Sequence, residues 1–259
     1  VTGANSNAIY GDLISGGADG LADGVHATGT VYAHTIRNSQ IDRDAYYQTI
    51  SGTTVSGTSH PGSADQPDKE LAISDATISQ WENAATTTII NSPCPYKING
   101  TVSIGPAKIN CTLEIGGDAD VTLRGTLWVV GNVETENTAT IRVDPSLGRK
   151  SVAIIADNPA NRTTSSKVSL ENTTTYFGSG VDGSYVLLVS QNSSAEQGGA
   201  EIAITVKNSA TGDLLVYARH GKIQLQNTAK LREVSGYGIE LMNSADVTYK
   251  TGLANLLFE

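Results

Sequence analysis

The sequence has few basic residues and no long hydrophobic run. It contains 17 Lys and Arg against 26 Asp and Glu in 259 residues, which gives a net charge of −9 at pH 7. A protein that binds the nucleic-acid backbone needs a basic face, so this balance argues against nucleic acid as a partner. No apolar run approaches the roughly 18 residues of a membrane span. No signal peptide opens the chain either, so we expect any export segment and any membrane contact to lie in a segment absent from it.

Cysteine is scarce as well, and its spacing argues against zinc. Cys94 and Cys111 are the two cysteines, and neither lies in a CxxC pair or near a cluster of histidines. Two cysteines and one methionine suit an oxidising exterior. We therefore predict a disulfide between Cys94 and Cys111, with two buried thiols as the alternative.

The residues that are abundant are those of strands and turns. The hydrophobic fraction of 39% is mostly Val, Ile, Leu and Ala, while Thr, Ser and Asn dominate the polar part, so general disorder is excluded. From residue 97 onward, short runs of four to eight residues alternate between apolar and polar or are continuously β-branched, which is typical of strands. Examples are KINGTVSI, SVAIIAD, SYVLLVS and GKIQLQN.

Asparagine recurs at the junctions between these runs. The tripeptides at Asn137, Asn208, Asn227 and Asn243 read Asn-Thr-Ala or Asn-Ser-Ala, and 19 and 16 residues separate the last three. Asn tolerates the left-handed conformation and can bond along a stacked ladder. We interpret these four as structural turn asparagines at equivalent corners of a repeat.

The spacing favours a parallel β-helix over a sandwich. Strands every 8–12 residues are typical of a sandwich or jelly roll, which stays the alternative. A repeat of 16–19 residues with Asn corners and few hairpin dipeptides instead matches one coil of a solenoid. Cys94 and Cys111 are 17 residues apart, and stacked coils lie about 4.8 Å apart, within reach of a disulfide. We predict an all-β, right-handed parallel β-helix.

The chain divides into three parts. Residues 1–66 are a β-rich segment expected to form the first coils, residues 67–92 a loop with a capping helix, and residues 93–259 the main β-helix. Ser74 is a good N-cap for a short helix near residues 75–85, with Ile73 and Ile78 as a hydrophobic staple. Trp81 is a buried anchor of this helix or a platform for ligand stacking.

Catalytic signatures are missing from the sequence. Asp118 and Asp120, in GGDAD, are interpreted as turn formers and not as the carboxyl pair of an inverting glycosidase. His26 and His34 share one face of VHATGTVYAH but lie too far apart on an extended strand to chelate a metal. His220-Gly221 is interpreted as a turn. We expect no cofactor, no metal and no enzymatic activity.

Several phrases in the chain carry a family resemblance. They include LRGTLWVVGNV (123–133), SVAIIADN (151–158), LLVYARHGKIQLQNTAKL (214–231) and DVTYKTGLANLLF (246–258). The whole resembles the extracellular β-helical region of bacterial type IV pilus assembly-type, minor-pilin-like proteins. The resemblance implies an extracellular location at the cell surface or pilus, with pilus or cell-surface proteins as partners, and it implies no catalytic residues.

We therefore expect a non-enzymatic structural or adhesion protein that presents a rigid β-helical surface. The alternatives are a pectin lyase-like carbohydrate-active or carbohydrate-binding β-helix, which would make glycans the partners, and a phage or virus fibre domain. Aromatic side chains on the outer face would favour glycan binding, and Tyr32, Trp128 and Tyr249 are the candidates.

Overall fold

The strands of this protein pair in parallel, as a solenoid requires. The computed structural model describes residues 1–3, 8–67, 71–208, 210–227, 229–243, 246–247 and 258. Within them, each strand bonds to a strand of the coil above or below and none forms an antiparallel pair. This arrangement confirms the all-β, parallel β-helix and excludes the sandwich or jelly roll, whose sheets are antiparallel.

Across the described residues, the secondary structure consists of thirty strands and one α-helix. The N-terminal strands are β1 (Ala8–Ile9), β2 (Leu13–Ser15), β3 (Leu21–Asp23), β4 (His26–Ala27), β5 (Val31–Ala33), β6 (Thr35–Arg37), β7 (Gln40–Ile41), β8 (Ala45–Tyr47), β9 (Thr49–Ser51), β10 (Thr54–Val55) and β11 (Ser59–Pro61). The helix α1 (Asp75–Ala84) follows and continues into a 3-10 turn at Ala85–Thr87.

The remaining strands build the main body. They are β12 (Ile89–Ile90), β13 (Tyr96–Ile98), β14 (Thr101–Ile104), β15 (Ala107–Ile109), β16 (Leu113–Ile115), β17 (Asp120–Leu123), β18 (Leu127–Val129), β19 (Val133–Thr135), β20 (Thr140–Val143), β21 (Val152–Ala156), β22 (Val168–Leu170), β23 (Thr175–Phe177), β24 (Val186–Ser190), β25 (Ile202–Val206), β26 (Thr211–Gly212), β27 (Leu214–Gln226), β28 (Lys230–Leu231), β29 (Glu233–Met242) and β30 (Asp246–Val247). A 3-10 turn at Pro145–Leu147 follows β20.

These strands stack into three faces. Face 1 consists of β12, β15, β18, β21, β24 and the first halves of β27 and β29, and face 2 of β13, β16, β19, β22, β25 and their second halves. Face 3 consists of β14, β17, β20, β23 and β26, followed by the sheet β28, β30, β1, β4, β7 and β10. Each coil therefore contributes one strand to each face.

The N-terminal coils stack on the C-terminal end of the body and not on its first coil. β1 pairs with β30 on one side and β4 on the other, and Thr2 bridges Glu240 and Asp23. The stack thus begins with β12–β14 and ends with β9–β11. Residues 1–66 do form coils, but they are not the first ones in space, because edge pairing and not chain order sets the sequence of coils.

The N-terminal coils are also shorter than those of the main body. Leu21, Thr35 and Thr49 stand in register on β3, β6 and β9, so each of these coils takes 14 residues. In the body, Tyr96 is in register with Leu113, a coil of 17 residues. The 14-residue period is present in the sequence, but the asparagine tripeptides that reveal the longer repeat do not mark it.

The helix covers the side of the solenoid and does not cap its end. β21 and β24 are buried at every position, because apolar side chains point both into the core and outward. The outward residues form a second cluster with Ile73 and Ile78. Leu71, Trp81 and Phe258 pack against it. As predicted, Ser74 caps the helix by accepting a hydrogen bond from the Thr77 N–H at 3.1 Å.

The predicted asparagines occupy one corner column between faces 2 and 3. Asn137, Asn208, Asn227 and Asn243 have φ near +60°. Their amides form a ladder: Asn227 donates to Asn208 at 2.7 Å and Asn243 donates to Asn227 at 2.8 Å. The column holds sharp turns in register and satisfies the amide groups along the stack.

We expect Asn227→Ala to lower the free energy of unfolding by about 2 kcal/mol. Alanine is strained in the left-handed backbone conformation and also breaks two ladder hydrogen bonds. Asn227→Gly removes only the hydrogen bonds, and we expect about half the loss. Urea unfolding of both variants measures the difference, and equal losses would contradict the backbone contribution.

Candidate functional site

A polar cluster ties the start of α1 to the side of the solenoid. His220, in β27, donates or accepts through both ring nitrogens: Nε2 lies 3.0 Å from Asp75 Oδ1 and Nδ1 lies 2.7 Å from Glu196 Oε2. Burial pushes the pKa of Asp75 upward, but the hydrogen bond and charge of His220, with help from Gln191 and Arg219, outweigh it and leave the pKa lowered. Both His220 nitrogens are therefore occupied, which favours a fastening role over general base catalysis.

Backbone contacts strengthen the same attachment. The Tyr217 hydroxyl donates to the Ile73 carbonyl, and Arg219 donates to the carbonyls of Leu71 and Ile73. These bonds satisfy the carbonyl groups of the segment just before α1. Since Tyr217 and Arg219 lie on face 1, the helical segment is held directly on the outer surface of the strands.

A second cluster, buried under the middle of α1, contains two carboxyl groups. Asp157 follows β21 and is fully buried, and Arg162 binds it with Nε and Nη2, both at 2.7 Å. Glu82 of α1 is also buried and shares a hydrogen bond with Asp157. Burial, followed by the Asp157 charge and that hydrogen bond, raises the pKa of Glu82 from 4.5 to about 8. Glu82 is thus protonated at neutral pH and donates to Asp157.

This proton makes stability depend on pH in a defined direction. The folded protein keeps the Glu82 proton between about pH 4.5 and pH 8, whereas the unfolded chain releases it. The folded state binds more protons in this window, so its contribution to stability is complete below the window and is lost as the pH rises through it. We expect a loss of roughly 2 kcal/mol from this group.

The variant Glu82→Gln isolates this effect, because the amide donates to Asp157 at every pH. We expect it to be more stable than the parent protein at pH 8.5 and to lose the Glu82 part of the slope between pH 5 and pH 8.5. Denaturant unfolding at several pH values measures both. Glu134→Gln, on another face, is the control, and identical slopes for the parent protein and Glu82→Gln would refute the assignment.

An open cleft of about 490 Å³ lies beside these clusters. It is lined by Asp75, Arg162, Glu196 and His220 together with Asn161 and Gln197, among others. The charged groups in its wall already pair with one another or with Asp157. The cleft is therefore a polar seam along the edge of the docked segment, with its charges used to hold that segment.

A second groove, of about 550 Å³, runs along the outside of face 2 and is acidic. Glu134, Glu136, Glu171 and Glu201 line it, and Lys167 pairs with Glu201 at 2.9 Å. Burial, then the charges of Glu114, Glu136 and Glu171, raises the pKa of Glu134. A surface of this charge would repel an anionic polysaccharide such as a polyuronide.

The N-terminal coils carry a column of stacked rings on their outer surface. Tyr32 stacks on Tyr46 with ring centroids 4.6 Å apart, and Tyr46 on His60 at 4.2 Å. These residues recur every 14 positions, a spacing visible in the sequence. Because neighbours cover both faces of the Tyr46 ring and one face of Tyr32, the column stabilises the stack and is not a free platform for a sugar ring.

The other aromatic candidates have different positions. Trp128 lies outside the core, where its Nε1 donates to the Asp157 carbonyl at 3.0 Å and Lys108 lies 3.7 Å above its ring. Trp81 packs against Phe258 with ring centroids 4.6 Å apart, so it anchors the helix. Tyr249 lies outside the described residues.

Three local interpretations of the sequence need correction or detail. VHATGTVYAH is not one strand but two, β4 and β5 with a corner at Gly29, and His26 and His34 bind Asp42 and Asp65 separately. His220-Gly221 is not a turn, because it lies inside β27 where the strand bends between faces. Asp120, interpreted as a turn former, begins β17 and pairs with Arg142 at 3.0 Å.

Gly221 allows that bend for a steric reason. A Cβ at this position would lie 2.2 Å from the Ala203 Cβ and 2.8 Å from the Asn192 carbonyl oxygen. The strand can therefore turn the corner and keep pairing on both sides only with glycine here. The bend also presents the neighbouring His220 to Asp75 and Glu196.

The predicted disulfide is confirmed. Cys94 and Cys111 are bonded, with their Cα atoms 5.8 Å apart, and join the first coil to the second. The bond is compatible with an oxidising, extracellular setting.

No family model, curated protein or solved structure matches this chain. In the part of the chain that the structure describes, no helix is long and apolar enough to cross a membrane. Over the same residues, no group of three His, Cys, Asp or Glu side chains is placed to hold a metal ion.

Sequence reasoning missed the two clusters under the helix. Asp75, Glu196 and His220 are far apart in the chain, and no local pattern connects them. Glu82 did carry a signal, because it lies four residues after Ile78 on the apolar side of the helix. A carboxyl group on a buried helical stripe requires a partner or a proton.

Proposed function

We propose that this protein is a non-enzymatic structural or adhesion protein of the cell surface, associated with pili. The observation that carries the proposal is the unbroken stack of coils. Ile9 packs against both the core of the main body and the core of the N-terminal coils, so the apolar interior continues from one set of coils to the other. Such a stack suits a load-bearing or display role, because its hydrogen bonds run along its axis.

The surface chemistry is consistent with this role. The disulfide closes the first coil against the second, which is useful where no chaperone repairs frayed ends. The net charge of −9 keeps an elongated surface soluble. The polar clusters that a reaction would need are instead paired with one another beneath and beside α1.

A second candidate, binding of a neutral or cationic glycan, rests on the groove of face 2. Its Glu134, Glu136, Glu171 and Glu201 offer acceptors for sugar hydroxyls or amines. Their charge disfavours the polyuronide substrates of pectin lyase-like enzymes. Glycan-array binding that Glu134→Gln and Glu171→Gln weaken would favour this candidate.

Electron microscopy of cells labelled with an antibody to this chain tests the first proposal. We expect label on the cell surface and along pili, and loss of adhesion when the gene is deleted. Label confined to the cell interior would reject it. Turnover in an activity screen on neutral and anionic polysaccharides would also reject a non-enzymatic role.

A further inference from the structure

The end of the solenoid formed by residues 49–62, here called the distal coil, has unpaired strand edges. Its strands β9, β10 and β11 pair only with β6, β7 and β8 among the described residues. The N–H groups of Thr49, Thr54 and Ser56 bond back to the previous coil. Since N–H groups alternate in direction along a strand, those of Ile50 and Val55 point to the open edge.

The distal coil also lacks the charges that normally protect such an edge. Residues 49–64 contain no Asp, Glu, Lys or Arg, whereas the coil beneath them carries Arg37, Asp42, Arg43 and Asp44. Natural proteins place charged side chains on exposed edges to prevent pairing with another chain. Pro61 is the one blunting residue there, and it affects only β11.

The opposite end, here called the proximal coil (residues 89–104), is a poorer match for the distal coil. It belongs to a repeat of 17 residues against the 14 of the distal coil. Its loop also holds Pro93 and Pro95, which supply no N–H. A distal coil meets an equal perimeter only on another distal coil.

We propose that two copies of this protein associate through their distal coils about a two-fold axis. The strand edges of one copy pair antiparallel with those of the other, which satisfies the open N–H and C=O groups of Ile50 and Val55. A two-fold contact uses the same surface on both copies, so it closes at the dimer and forms no filament. The contact extends the proposed structural role, on which its biological meaning rests, by naming a second copy of the chain as the partner.

Sedimentation velocity over a range of protein concentrations tests the association. We expect a concentration-dependent dimer and no larger species. The double variant Thr54→Lys with Ser59→Lys places like charges on two exposed edge positions, and we expect it to weaken dimerisation at least tenfold. The matched control is Thr101→Lys, an exposed threonine on the edge strand β14 of the proximal coil, which should leave the dimer intact.

Cysteine cross-linking gives a readout that does not depend on the lysine variants folding well. Single variants Ser51→Cys, Thr54→Cys and Ser59→Cys place one thiol on each edge strand, and at least one should form a covalent dimer under mild oxidation. Thr101→Cys should form none. A monomer at all concentrations, a ladder of larger oligomers, or equal effects of Thr101→Lys and the double variant would overturn the proposal. A monomer that still labels pili would reject the dimer alone, and a dimer without surface label would reject only the proposed function.

Discussion

Replacing Arg162 with alanine should lower the free energy of unfolding by about 3–5 kcal/mol, the largest single effect expected in this protein. Arg162 neutralises Asp157, whose side chain is fully buried, through two hydrogen bonds of 2.7 Å. Without the guanidinium, a carboxylate remains in a site that water does not reach, next to the carboxyl group of Glu82. Denaturant unfolding at pH 7 measures the loss.

Arg142→Ala is the matched control, because Arg142 also binds an aspartate, Asp120, at 3.0 Å, but both side chains are exposed by more than two fifths. Solvent screens that pair, and we expect a loss of at most about 1 kcal/mol. Arg162→Lys keeps the charge but not the two-pronged geometry and should lie between the two. Similar losses for Arg162→Ala and Arg142→Ala would show that burial of Asp157 does not control the effect.

Removal of the disulfide should cost about 3 kcal/mol, the second-largest effect. The bond between Cys94 and Cys111 closes a loop of 17 residues, and closing such a loop restricts the unfolded chain by roughly that amount. The double variant Cys94→Ser with Cys111→Ser avoids a free thiol. Urea unfolding of the oxidised parent protein and the variant gives the difference.

The position of the loss along the stack distinguishes a local staple from a general one. Because the bond joins only the first two coils, we expect hydrogen exchange to quicken in β12–β16 and to change little in β3–β9. Reduction of the parent protein with a thiol should reproduce the effect. A uniform increase along all coils would mean that the stack unfolds as one unit.

The repeat itself was predictable because the relevant information is local. Alternating apolar residues, a left-handed residue at each corner and a 17-residue separation of cysteines together indicate stacked parallel coils. Asn137, Asn208, Asn227 and Asn243 were identified in this way, and the structure places all of them at one corner. The unbroken apolar runs of β21 and β24 also showed that some element must cover face 1, since a strand with one exposed face alternates.

The clusters beneath α1 were not predictable in the same way. His220 contacts Asp75 and Glu196, 145 and 24 residues away, and no periodicity relates these positions. Whether a histidine or an arginine finds a carboxylate depends on where a segment docks, and that is decided by long-range packing.

By itself, the sequence determined the parallel coils, the asparagine corners, the disulfide and the existence and capping of one helix. Each follows from the preferences of a few neighbouring residues. Only the tertiary structure decided that residues 1–66 extend the far end of the stack, that the helix lies on face 1, and that Glu82 keeps a proton beside Asp157. Those features arise because strand edges and buried charges are satisfied by whichever partners the folded chain brings to them, regardless of distance along the sequence.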